Sequence, residues 1–211
     1  MRIKLDLIYI MVQVLSPLLL KQEKMKQKVF DVCAGLITIP QFEEWFYNDA
    51  DIQCSILEDD NVLRLCSIDL KKKDAEHELK KFCFETFDQE EFYVYAIEKN
   101  AHLIVNAQNH KEVICYVQNI CEYSDWGDEK ALYYSFYVLW DQYDEFPYSG
   151  YLFRSDIISD MKSEAAKLLK RFEFVDLQTK KNLIFEPVKH VECTPFIDAD
   201  ISTKRWYQFW K

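Results

Sequence analysis

The sequence predicts a mainly α fold with a minor β component (α+β): a single helical domain of about six to eight helices carrying one small β-hairpin or sheet element. Three observations predict it. Glycine and proline number only 3 and 5 in 211 residues, against about 15 and 10 at average usage. So few turn formers leave little room for the many short strands of a barrel or sandwich. Apolar residues also recur at three- and four-residue spacing along most of the chain. Finally, 49% hydrophobic and 29% charged residues suffice for a sizeable core and exclude disordered and fibrous classes.

The elements follow in order. Residues 1–24 read as an apolar and basic N-terminal segment, and 25–211 as one globular domain. The run LDLIYIMVQVLSPLLL at 5–20 follows two basic residues, as a signal-peptide core would. Asp6, Gln13 and Pro17 interrupt it, no small-residue cleavage site follows, and 16 residues is short for a membrane span. The expectation is a packed or marginally ordered helix, or a mis-start upstream of Met25-Lys26-Gln27-Lys28. Thr38-Ile39-Pro40-Gln41 combines a hydroxyl cap, a first-turn proline and a glutamine three residues after the cap, which starts a helix over 41–48. Asp49 restarts a short helix over 50–57. Residues 61–69 (NVLRLCSID) read as a strand or a buried extended segment. Asp74 opens a helix to about residue 87, and further helices are expected over 89–105, 111–121, 129–143 and, from Ser155 or Asp156, to 172. Residues 173–186 resemble a hairpin, with Thr179-Lys180-Lys181-Asn182 as its turn.

Motifs for catalysis and cofactor binding fail one by one. Gly35, Gly127 and Gly150 stand singly, so neither a dinucleotide fingerprint nor a P-loop is present. His77-Glu78 begins an H-E-x-x-H pattern, but Lys81 occupies the second histidine position. His190 and Cys193 form half a zinc site with no second half. Asp198-Ala199-Asp200 is a D-x-D triplet of the kind common in acidic chains. No serine has a neighbouring base. The expectation is a protein with no catalytic residue, no metal and no cofactor. The 7 cysteines show no C-x-x-C spacing and read as free thiols of a cytoplasmic protein.

Charge gives direction. The net charge is −10. Residues 1–34 hold six basic and three acidic side chains, whereas the remainder holds 20 basic and 33 acidic ones. Such a body repels nucleic-acid phosphates and steers basic partners. Two clusters join acids to aromatics. The first comprises Glu43, Glu44, Asp49, Asp51, Glu58, Asp59 and Asp60, with no Lys or Arg over 35–63. The second, over 122–145, is opposed only by Lys130 and supplies the candidate partner-binding residues Asp125, Trp126, Asp128, Glu129, Tyr133, Asp141, Tyr143, Asp144 and Glu145. Carboxylates attract cationic side chains while Tyr and Trp supply rigid contact area. The alternative to an interface is a solvated acidic face over an aromatic core.

The stretch Ile37-Thr38-Ile39-Pro40-Gln41-Phe42-Glu43-Glu44-Trp45-Phe46-Tyr47-Asn48-Asp49, with Val29-Phe30 through Gly35 before it, resembles a helix start of bacterial immunity-type proteins of polymorphic toxin systems. Phe42, Glu43, Trp45 and Tyr47 match an F-E-x-W-[apolar]-Y pattern. Where such relatives continue with Leu-Glu, this chain has Ile52-Gln53. The resemblance implies an acidic cytosolic inhibitor that occludes a toxin, often a basic nuclease, without catalysis. The functional expectation is therefore a binding protein that blocks a basic partner, a cognate toxin, with no nucleic-acid or membrane contact. The alternative is a non-enzymatic scaffold domain docking through its aromatic tail, Lys204-Arg205-Trp206-Tyr207-Gln208-Phe209-Trp210.

Overall fold

The computed structural model describes residues 20–55, 59–122, 131–146, 148 and 150–185. Among them stand ten helices and no strand: α1 over 20–33, α2 (Ile39–Asn48), α3 (Ala50–Ser55), α4 (Asp60–Cys66), α5 (Ala75–Thr86), α6 (Gln89–Asn106), α7 (His110–Cys121), α8 (Ala131–Asp144), α9 (Arg154–Phe172) and α10 (Leu177–Phe185). The mainly helical expectation holds. The helices beyond the expected six to eight come from α4 and α10, where β structure was expected, and from α1, which runs without a break through residues 24 and 25.

Both departures have a local cause. Over 61–69 the strand reading overlooks Asp59, whose carboxylate accepts the Asn61 N–H at 2.9 Å and caps α4. Val62 and Leu65, three apart, then turn inward. Over 173–186 the hairpin reading overlooks Asp176. Its carboxylate accepts the Thr179 N–H at 2.8 Å, which starts α10 where a turn was expected to follow. Ile184 is buried. Lys180 and Lys181 reach across to α6, meeting Glu98 at 2.7 Å and Asp88 at 2.7 Å.

Other starts follow the sequence closely. Thr38 and Gln41 form the reciprocal capping box, with Pro40 in the first turn. Asp88 and Asn109 cap α6 and α7 through Glu91 N–H and Glu112 N–H. For α9 the cap position is Phe153, without a side-chain bond. Asp156 therefore lies in the first turn instead of capping it.

Helix α6 is the spine. Its Phe92 and Ala96 join a core with Val29, Phe30, Phe42, Phe46, Leu65, Leu79 and Phe82 from α1, α2, α4 and α5. Its Val94, Ile97, Ala101 and Ile104 join a second core with Val117, Ile120, Phe136, Ile157, Met161, Leu168 and Ile184 from α7 to α10. The first core is rich in ring contacts, Phe30 meeting Phe92 edge-on at 5.3 Å and Phe87 at 5.6 Å. Such pairs are worth about 0.5–1.5 kcal/mol beyond their burial.

Between the cores sits Asn100, the buried polar side chain. Its amide donates to the Ala96 carbonyl at 2.9 Å and to the Ala34 carbonyl at 3.5 Å, and its oxygen accepts from Asn119 at 3.1 Å. Ala34 belongs to the turn that ends α1. There Leu36 N–H returns to Asp31 O and Gly35 N–H to Val32 O, the paired bonds of a Schellman stop, with Gly35 left-handed at φ 70°. A methyl on Gly35 would lie 3.1 Å from the Asn119 amide nitrogen. One polar knot thus fixes α1, α6 and α7 together.

Candidate functional site

The two acidic clusters meet different fates. In the first, Asp49 is a structural residue. Its carboxylate pairs with Lys24 of α1 and accepts the N–H groups of Asp51 and Ile52. Burial works against its charge, yet the Lys24 hydrogen bond and the Ile52 N–H hold its carboxyl below the usual range. Asp59 is the cap of α4, and Glu43 approaches Lys71 at 4.0 Å. Phe42 and Phe46 are buried and Trp45 packs against the first core, so the F-E-x-W segment is packing surface. Tyr47 remains exposed.

The second cluster is only partly described. Asp125, Trp126, Asp128 and Glu129 lie outside the described residues, as do His190, Cys193, Asp198, Asp200 and the tail 204–210. Tyr133 belongs to α8. Asp141, Tyr143, Asp144 and Glu145 come together at the C-terminal end of that helix. Asp144 and Glu145 are exposed and Asp141 and Tyr143 half-buried. No basic residue stands in the last turn of α8, and none of the three acids forms an ion pair with a described residue. Helix dipoles favour cations at this end. Among helices α2 to α10, α4 and α9 carry bases there (Arg64; Lys170 and Arg171), and α2, α3, α5, α6, α7 and α10, like α8, do not; α8 differs in placing Asp141 and Asp144 in its last turn with no ion pair to a described residue. Three carboxylates at the negative end of α8 are therefore held against local stability.

Tyr143 lies inward of them. It packs on the second core with Trp140 and Phe146, and the Arg154 guanidinium rests 5.0 Å from its ring centre and 5.2 Å from that of Phe146. Aromatic rings do capture a cation here, as the residue types suggest, but the cation comes from the chain itself.

The turn between α8 and α9 carries residues that sequence reasoning missed. Tyr151 is half-buried against the core, and its hydroxyl donates to Asp160 at 2.7 Å. Burial, then that bond, push its phenol up to about 12. Its neighbours turn outward: Tyr148, Leu152 and Phe153 are 83%, 82% and 64% exposed. Gly150 makes the turn at φ 83°, and Tyr148 N–H closes on Glu145 O at 2.8 Å. Asp156 and Asp160 follow on α9. From 141 to 160 the sequence holds five acids and one base, Arg154. The signal available in the sequence was this uncharged Phe-Pro-Tyr-Ser-Gly-Tyr-Leu-Phe run inside an acidic stretch.

A depression of about 520 Å³ lies between α1, α6 and the start of α10, lined by Leu20, Phe30, Val94, Tyr95 and Leu177 among others. Its rim charges neutralise one another: Lys26 meets Glu91 at 3.0 Å and Lys180 meets Glu98 at 2.7 Å. It reads as a latched seam between helices.

Among the described residues no three His, Cys, Asp or Glu side chains gather to hold a metal, and no helix is long and apolar enough to cross a membrane. Among the described residues, Cys33, Cys54, Cys66, Cys83, Cys115 and Cys121 form no disulfide. The hydrogen bond the Cys83 thiol makes with Cys33, and burial, push it far above its ordinary range. No known protein family, curated protein or solved structure matches the chain.

Proposed function

We propose that this chain is an acidic binding protein of the cytoplasm, an immunity-type inhibitor that occludes a basic partner such as a toxin. One observation carries the reading. Asp141, Asp144 and Glu145 stand at the negative end of α8 without a compensating base in its last turn. Natural sequences give up local stability of this kind chiefly where function asks for it. The net charge of −10 adds long-range steering toward a cationic surface. Inhibition is steric and electrostatic: the carboxylates take up Lys and Arg side chains with which the partner would otherwise hold its own anionic substrate.

The test is affinity capture from the protein's own organism at low and high salt. The reading predicts one basic protein, retained at low salt and released near 1 M, where the screening length falls to about 3 Å. Capture by the Asp141→Asn, Asp144→Asn, Glu145→Gln triple variant should fall at least about tenfold, given that losing one partner of a central charge pair costs about 2–5 kcal/mol. A retained partner that is acidic, or that ignores both salt and the triple variant, contradicts it.

A further inference from the structure

The α8–α9 turn presents three apolar side chains to water in a setting built to keep them there. Tyr148, Leu152 and Phe153 lie within six residues of chain and are 83%, 82% and 64% exposed. Two residues beside them are anchored. Tyr151 is anchored inward on Asp160 at 2.7 Å, and Arg154, the next residue after Phe153, is clamped over Tyr143 and Phe146. A loose loop would fold such side chains back over the core, whereas a braced one holds them out. Ordering the turn in advance removes part of the entropy cost of binding. Around it stand Asp144, Glu145 and Asp156, all exposed and none ion-paired to a described residue.

From this arrangement we infer that the α8–α9 turn is the energetic centre of the partner interface: Tyr148, Leu152 and Phe153 enter an apolar pocket on a protein whose pocket rim is lined with Lys and Arg. The inference rests on the basic-partner reading and specifies the surface that meets it. Exposed apolar groups ringed by polar ones mark interaction surfaces, and aromatic anchors inside a polar rim carry most interface energy. Charge selects the occupant. A second copy of this chain would set the acids of one turn against those of the other, a repulsive pairing about a two-fold axis. An anionic lipid surface is repelled for the same reason. A basic protein surface satisfies both the apolar centre and the acidic rim.

The experiment titrates the isotope-labelled full chain with a defined probe. The probe is a helical peptide with a Leu/Trp face edged by Lys and Arg, and its control replaces every Lys and Arg by Glu. Amide shifts should centre on residues 144–156 with the cationic probe and be absent with the control. Leu152→Ser with Phe153→Ser should weaken binding at least about tenfold without lowering the melting temperature, since neither side chain supports the core and serine suits the α9 cap position that Phe153 holds. Shifts that fall instead on α2 to α4, with the double variant binding like the wild type, overturn the placement and leave the basic-partner reading standing. Absence of any shift with the cationic probe overturns both.

Discussion

Asn100 is the residue on which the two cores turn. Its three hydrogen bonds join the end of α1, its own helix and the half-buried Asn119 of α7. Replacing it by Leu removes a donor and an acceptor but leaves the Asn119 amide without its acceptor and the Ala34 carbonyl without its donor. An orphaned buried group costs about 1–3 kcal/mol, so Asn100→Leu should lower stability by at least about 2 kcal/mol in urea unfolding, despite adding apolar surface. The paired change Asn100→Leu with Asn119→Leu should recover part of that loss. Nothing in the sequence alone marks Asn100, because asparagine in a helix usually faces water. Its role follows from the chain reversal at Gly35, which only the fold brings alongside.

At the scale of elements, the helix starts most legible in advance are those announced by caps. Thr38 with Gln41, and Asp49, stand beside periodic apolar residues and give α2 and α3, whereas Asp74 holds the cap position of α5 without a side-chain bond. Helices α4 and α10 were hidden because each is short, and a few apolar residues fit alternation as readily as helical spacing. Asp59 and Asp176 were the signals that decide between them. Asp88 shows what such a cap contributes. It binds Glu91 N–H at 2.9 Å and Lys181 at 2.7 Å, tying the start of α6 to α10. The Lys181 hydrogen bond, then the Glu91 N–H, hold its carboxyl below the usual range. A lowered folded-state value means that the stabilisation is complete above the ordinary carboxylate value of about 4 and is lost as pH falls through the folded one. Asn at this position caps equally well without charge. The melting temperature of the wild type should therefore exceed that of Asp88→Asn at neutral pH, and the gap should close as the pH falls through the lowered folded-state value of Asp88. Helix α8 makes the opposite prediction. Because its terminal acids oppose the helix dipole, the Asp141→Asn, Asp144→Asn, Glu145→Gln triple variant should melt no lower than wild type while its partner capture falls. A lower melting temperature would show that those acids serve the fold.

Across the whole molecule, α6 divides the helices into an aromatic core beside α1 to α5 and an aliphatic core beside α7 to α10, and the α8–α9 turn projects from the second. The acids of α8 were legible as a charge imbalance. The apolar residues that stand among them were not, since Leu, Phe and Tyr in a helical protein are expected inside, and only the fold shows three of them outside. Conversely, the F-E-x-W segment carrying the resemblance to immunity-type proteins supplies packing residues to the first core. The most direct test places a photo-crosslinking amino acid at Leu152 in the full chain, and at His77 on α5 as the control, in cells of the protein's own organism. The account predicts a covalent adduct from position 152 with one protein of net positive charge, absent from position 77 and diminished by neutralising Asp144 and Glu145. Adducts from position 77 alone, or an acidic protein captured at 152, would contradict it.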